Sequence, residues 1–340
     1  MTTLEERTVR PVPEVLSWSR GLVDPALRAG VETLPNPMRR IASYHFGWLD
    51  EHGKPASTSG GKALRPAMVL LCAEAVGGCA SHAMAAASAV ELVHNFSLLH
   101  DDVMDADVTR RHRPTAWSVF GVSQAILAGD ALLALALNML ASNATAVRVL
   151  AESVQSLIDG QSLDLMFEER TDVSLAECLL MAERKTASLL RAACLLGGLY
   201  GGGGPEQVEH LGEFGARLGL TFQLVDDLLG IWGDPAVTGK PVHSDLRSRK
   251  KSLPVVAALI SPGAAGRQLA EMYHSDQPMT QTDLVRAAEL VEGAGGRRWA
   301  LEQADDQLGK ALNHLRLAGI DATSTAELDA LAHLVTQRDF

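Results

Sequence analysis

Helical periodicity runs through most of this 340-residue chain, and alternating Val/Ile/Thr runs bounded by turn residues hardly occur. A chain without sheet signals has to bury its apolar stripes helix against helix. Alanine and leucine dominate and aromatic residues make up only 4%, which favours helices packed closely through small side chains. After a polar, Pro-containing leader over residues 1–13, the spacing predicts helices over 14–33, from the PNPM break at 35–38 to about 49, and over 63–76, 82–105, 115–141, 144–168, 174–200 and 205–232. Further helices fill the chain beyond 254, broken near Pro262, Pro278 and Gly293–Gly296. The stretches 52–62 and 233–254 read as loops by composition, and GGGG at 201–204 as a helix terminator and connector. No linker is long enough to divide the chain, so residues 14–340 read as one all-α domain.

Bulk properties exclude several functions. The net charge of −11 argues against a broad nucleic-acid surface. The four cysteines, Cys72, Cys79, Cys178 and Cys194, form no CxxC pair, and free thiols suit a reducing cytoplasm. The N-terminus lacks the apolar core of a signal peptide. The most apolar stretch, 125–140, is interrupted by Asp130 and Asn138 and reads as too short and too polar for a membrane span. The expectation is a cytoplasmic protein with no membrane span.

Chemistry is signalled first by HNFSLLHDDVMDADVTRR at 94–111. Asp101 and Asp105 are four apart, on one face of a helix and a turn from each other, where like charges destabilise unless something neutralises them. Magnesium is suited to that task, because it binds few carboxylates and takes further ligands from water and phosphate. Alone, this pattern also fits a solvated helix end. A second acid pair, Asp226 and Asp227 in FQLVDDLLGIWGD at 222–234, again follows an apolar run, with Gln223 one turn earlier. Two facing helices carrying such pairs can aim carboxylates at one cavity.

Cations accompany the acids. GGKALRP at 60–66 places Lys62 and Arg65 at a helix start, where glycines and free amides suit an anion. Arg110 and Arg111 follow the first acid cluster, and guanidinium groups suit bidentate phosphate contact. Lys185 and Thr186 lie inside an otherwise apolar helix, and Lys240, Arg247, Arg249, Lys250 and Lys251 follow the second cluster. Each group has an ordinary surface explanation; together they suggest polyphosphate held between acids and bases, with metal as the bridge.

In this order GGKALRP, VELVHNFSLLHDDVMDAD with RR, GD at 129–130, GQSLDL at 160–165, KT at 185–186, FQLVDDLLGIWGD and GKPVHSDLRSRKKSLP resemble the trans-isoprenyl diphosphate synthases, or polyprenyl synthetases, over roughly residues 35–330. The resemblance implies a single-domain helical bundle around a deep central cavity, a homodimer, and condensation of isopentenyl diphosphate with an allylic diphosphate (dimethylallyl, geranyl or farnesyl). It implies three Mg2+ ions held by Asp101 and Asp105 on one side and Asp226 on the other, with Asp102, Asp227 and Lys185 in the catalytic set. Arg110, Lys185, Thr186, Gln223 and Lys240 should hold the allylic diphosphate; Lys62, Arg65, His94 and Arg111 should hold isopentenyl diphosphate. One departure is plain: many members carry a third aspartate in the second cluster where this chain has Gly230.

Product length is a geometric matter. A helical turn rises about 5.4 Å, close to one extended isoprene unit, so the residue a turn before Asp101 can floor the cavity. Phe96 is bulky and Ser97 small. A single aromatic at this place resembles geranylgeranyl synthases, with farnesyl or a twenty-five-carbon product as alternatives. A class I terpene cyclase and a non-catalytic synthase subunit are the competing functions; the Lys62, Arg65 and Arg111 group argues against the first and the near-complete ligand set against the second.

Overall fold

The computed structural model describes residues 8–56, 63–235, 241–275 and 277–336. It is built of helices with one small hairpin among the described residues. Two compact units emerge: the first comprises Met1–Glu152, Ala192–Gly212 and Leu315–Ala330, the second Ser153–Arg191, Glu213–His314 and Leu331–Phe340.

In the first unit, α1 (Val12–Glu32) begins inside the expected leader and buries a stripe at four-residue spacing, Val15, Ser19, Val23, Leu27 and Val31. Arg10 anchors its entry, pairing with Glu327 and Glu74 and stacking over Trp18. The second helix, α2 (Asn36–His45), stops four residues short of expectation, because Gly47 turns the backbone at φ 79 and Leu49 then bridges to Pro55. The core helix α3 (Leu64–Ala75) is buried from Pro66 to Ala73. Helix α4 (Met84–Met104) packs along α6 (Val122–Met139). At their crossing the His100 ring lies where a side chain on Gly129 would go, which accounts for glycine there. The predicted helix over 115–141 is interrupted: α5 (Ala116–Phe120) is set off from α6 by Gly121 at φ 90.

The hairpin, β1 (Thr109–Arg110) and β2 (Arg113–Pro114), was not expected from sequence. Its turn residues Arg111 and His112 sit at φ 52 and 61, a backbone that two-residue hairpins require and that glycine or asparagine ordinarily supplies. Side chains hold it in place. Arg113 donates to the carbonyls of Tyr44 and Leu49, the Tyr44 hydroxyl donates to the Pro114 carbonyl, and Thr115 and Trp117 both donate to the Asp107 carbonyl.

In the second unit, the apolar core joins Phe167 of α7 (Ala144–Glu169), Cys178, Met181 and Ala182 of α8 (Leu175–Ala182), Leu220, Leu224 and Leu228 of α10 (Pro205–Trp232), and Leu253, Val256, Ala300 and Ala304. A capping box, Ser174 with Glu177, starts α8. Between α8 and α9 (Ser188–Tyr200) the helix continues through a π turn, Glu183–Ala187. The stretch expected as loop over 233–254 contains a short helix, Ser244–Arg247, and the helix Leu253–Leu259 begins within it.

Candidate active site

The first unit carries an acid group and a basic group side by side. Asp101 and Asp105 lie at the end of α4, with the Asp105 amide donating to the Asp101 carbonyl at 2.8 Å. Asp105 is exposed and Asp101 half-buried. Asp102 differs from both. It is 2% exposed, and its Oδ1 accepts from Arg110 Nε at 2.6 Å. Its Oδ2 is buried with no hydrogen-bond partner. Burial pushes the Asp102 carboxyl above its ordinary range, against the pull of Arg110. Thus Arg110, expected to bind substrate, is anchored through Nε by Asp102 and lies 4.0 Å from Asp107. Asp107 belongs to the same knot.

The hairpin turn presents Arg111 to His94 and Arg65. Arg65 Nη1 lies 3.4 Å from His94 Nε2. Burial lowers the His94 imidazole well below its ordinary pKa, and Arg65, Arg111, Arg110 and His45 lower it further. His94 is therefore neutral at pH 7 and can offer a hydrogen bond without adding charge. His45, which the motif reading passed over, shares the environment: burial, then Arg111 and Arg110, bring its pKa to about 3, and its Nε2 has no hydrogen-bond partner. The guanidinium groups of Arg65, Arg110 and Arg111 thus act on two buried imidazoles, His94 and His45. Lys62, expected beside Arg65, lies outside the described residues, as does Lys240.

On the same helix Phe96 is 4% exposed and Ser97 7%. Phe96 meets the His100 ring edge-on, centroids 4.8 Å apart, while the Ser97 hydroxyl turns back to the His94 carbonyl. His100 was missed by the sequence reading; its position directly before Asp101 was the available signal.

The second unit holds another set. The π turn presents Lys185 and Thr186. Lys185 Nζ donates to Asp164 Oδ2 at 2.5 Å. Burial pushes the Asp164 carboxyl up, but Lys185 and Lys250 outweigh it and hold it below its ordinary range. Thr186 donates to Gln223 Oε1 at 2.5 Å, Gln223 Nε2 donates to Asp227 Oδ1 at 2.7 Å, and the Leu253 amide donates to Asp227 Oδ2 at 2.8 Å. Asp227 is 2% exposed, and burial, only partly opposed by Lys250, raises its pKa to about 7. Its neighbour Asp226 is exposed. Asp164 stood in the GQSLDL motif and Lys250 in the basic run, but neither had been given a role.

Both aspartate pairs therefore divide in the same way. The first residue is the more accessible, half-buried at Asp101 and exposed at Asp226, and the second is buried beside a cation, Arg110 or Lys250. Asp101 and Asp105 offer hard oxygen donors one turn apart. Among the described residues no cluster of three or more His, Cys, Asp or Glu side chains is close enough to hold a metal ion. The donors present fit an ion that keeps water and takes its remaining ligands from a diphosphate, as Mg2+ does.

A mostly helical protein with accessible aspartates and two groups of cations has the makings of a diphosphate-handling transferase. The family model for polyprenyl synthetase matches residues 47–291. The chain is 46% identical to the (2E,6E)-farnesyl diphosphate synthase of Mycobacterium tuberculosis over 341 residues, covering 98% of this chain and 95% of that one. It is 44% identical to the geranylgeranyl diphosphate synthase of the same organism, covering 96% and 93%. The crystal structure of a polyprenyl synthetase from Streptomyces coelicolor A3(2) superposes with a TM-score of 0.91 at 46% identity, over 95% of this chain and 99% of that one. The chain belongs to the polyprenyl synthetase family and has its all-α isoprenoid synthase fold.

Proposed function

We propose that this prenyltransferase joins isopentenyl diphosphate to an allylic diphosphate, head to tail and trans, with geranylgeranyl diphosphate as its product. The observation that supports the reading is two gatherings of cationic and polar side chains suited to anions: Arg65, His94 and Arg111 around one helix end and hairpin, and Lys185, Thr186 and Gln223 around the π turn. A condensing enzyme needs two diphosphate sites, whereas a cyclase needs one.

In this reading the allylic carbon–oxygen bond breaks, and Lys185, Lys240 and the free edge of Arg110 stabilise charge as it develops on the leaving diphosphate. Asp164 and Asp102 aim Lys185 and Arg110 without consuming all their donors. Lys62, Arg65, His94 and Arg111 hold isopentenyl diphosphate so that its double bond meets the allylic cation; the departed diphosphate takes the proton then lost. Mg2+, three ions held by Asp101, Asp105 and Asp226, would supply the bulk of the charge neutralisation when bound.

Product length rests on Phe96, buried a turn before Asp101 and fixed against His100. A second reading, farnesyl diphosphate, is favoured by the 46% relative that bears that name. Chromatography of products from each allylic starter with isopentenyl diphosphate and Mg2+ tests both. A twenty-carbon chain as main product supports the first, a fifteen-carbon chain the second, and no elongation from any starter ends the proposal. Phe96→Ala should lengthen the product; an unchanged distribution removes Phe96 from the floor.

The further reading is a cytoplasmic homodimer. Among the described residues α6 alone is long and apolar enough to cross a membrane, with a third of its residues buried, so the stretch read from sequence as too short and too polar for a span meets both measures. Val122, Ile126 and Leu127 are exposed on it, and a second copy of the chain would cover them.

A further inference from the structure

Neither the GD pair at 129–130 nor His100 takes part in the diphosphate chemistry proposed above, yet the two meet where α4 packs along α6. Gly129 leaves a notch on α6, and the His100 ring occupies it: a methyl group at position 129 would overlap Cδ2 and Nε2 of the imidazole. Inside the notch His100 Nε2 lies 3.0 Å from the Ile126 carbonyl oxygen. A carbonyl only accepts, so Nε2 carries the proton of that bond. Asp130 Oδ1 stands 3.6 Å from the same nitrogen. A missing side chain, a backbone acceptor and a carboxylate on α6 thus fix one ring of α4.

The same ring meets Phe96, with centroids 4.8 Å apart and planes at 66°. The two residues are four apart, so their side chains share a face of α4. A phenylalanine on a helix has two ordinary settings of χ1, and a change between them moves the surface that its ring offers. A cavity floor free to swing would release chains of mixed length. An imidazole held edge-on against the ring favours one setting, because aromatic rings attract in that geometry. Gly129 therefore acts on Phe96 at second hand: it makes room for His100, and His100 meets the ring.

We propose that His100, seated in the Gly129 notch, is a specificity-determining residue that locks the Phe96 ring and so sets where the growing allylic chain stops. The inference rests on the reading of Phe96 as the floor and adds the positioning residue that keeps the floor in place. The test is product chromatography on the full chain with Mg2+, isopentenyl diphosphate and geranyl diphosphate, beside a thermal melt of each variant. His100→Ala removes the support; His100→Gln removes the ring but keeps a donor for the Ile126 carbonyl. In both, the ratio of the next longer chain to the parental product should rise about fivefold, the preference that one aromatic pair can impose. Gly129→Ala, which drives the ring from its notch, should move the ratio the same way. Combined with Phe96→Ala, His100→Ala should add nothing to the lengthening that Phe96→Ala causes alone. Folded His100 variants with the parental ratio overturn the proposal, and slower turnover at that ratio marks a merely structural role and overturns it too. So does a double variant that lengthens the product beyond Phe96→Ala, since His100 would then be a barrier in its own right. A parent that elongates no starter refutes the prenyltransferase reading. An elongating parent whose product lengthens in Phe96→Ala but not in the His100 variants refutes this inference alone.

Discussion

Adjacent aspartates in this protein are not equivalent. Asp101 is half-buried, while Asp102 is fully buried against Arg110. Asp101→Ala should abolish most turnover with little change in stability. Asp102→Ala leaves a half-buried guanidinium without its anchor and should cost about 3 kcal/mol in a urea melt; equal stability of the two variants would contradict the division. His45 gives a pH test. Its pKa falls from the ordinary 6.5 to about 3 on folding, through burial and the neighbouring arginines. Its contribution to stability is therefore complete above about 6.5 and is lost as pH falls toward 3, with a slope of at most about 1.4 kcal/mol per unit. Urea midpoints between pH 7.5 and 5 should decline in the parent and less steeply in His45→Gln. The acid clusters were legible in the sequence because their spacing repeats. Which member of each pair is buried was not, since neighbours on a helix differ by about 100° and the partners, Arg110 on a hairpin and Lys250 in a distant loop, are set by tertiary contact. His45 was silent for a similar reason: its environment is made by Arg110 and Arg111, which are remote in sequence.

At the scale of elements, long helices with strong periodicity were readable, and α10 begins and ends at the predicted residues 205 and 232. The irregular pieces were not. The hairpin turn uses Arg111 and His112 where sequence signals would demand glycine or asparagine, and the π turn has no compositional mark. Both irregularities carry side chains of the proposed site, and strained or bulged backbone is often found at such places. The π turn depends on Gly160. A methyl group there would come within 2.7 Å of Lys185 Cα and overlap its amide nitrogen. Gly160→Ala should shift the turn, weaken the Lys185–Asp164 pair and raise KM for the allylic diphosphate at least tenfold, about 1.4 kcal/mol. Steady-state kinetics with the isopentenyl diphosphate KM as internal control would check it; parallel increases in both constants would point to general disruption.

For the whole molecule, the all-α class followed from the absence of strand patterning, and family membership from the order of seven motifs rather than from any one of them. A homodimer was implied only by the resemblance, and the face it would use was beyond the sequence, because exposure of an apolar helix face is visible only after packing. Light scattering should report a dimer for the parent, and Ile126→Glu with Leu127→Glu should give a monomer of unchanged helicity; a persistent dimer would move the interface off α6. The π turn also constrains how this protein can vary. Buried Cys178, Ala182, Ala187 and Leu190, with Met181 and Leu189 beside them, leave four consecutive positions, 183–186, unburied across the π turn, so the stripe advances by five residues there. The chain is written in two helical phases, with the joint at Glu183–Ala187. Removing one residue there would restore an ordinary α-helix and rotate everything after it by about 100°, turning Ala187 and Leu190 out of the core. A length change at that joint is therefore a frameshift in three dimensions, tolerable only if the apolar pattern downstream is rewritten with it.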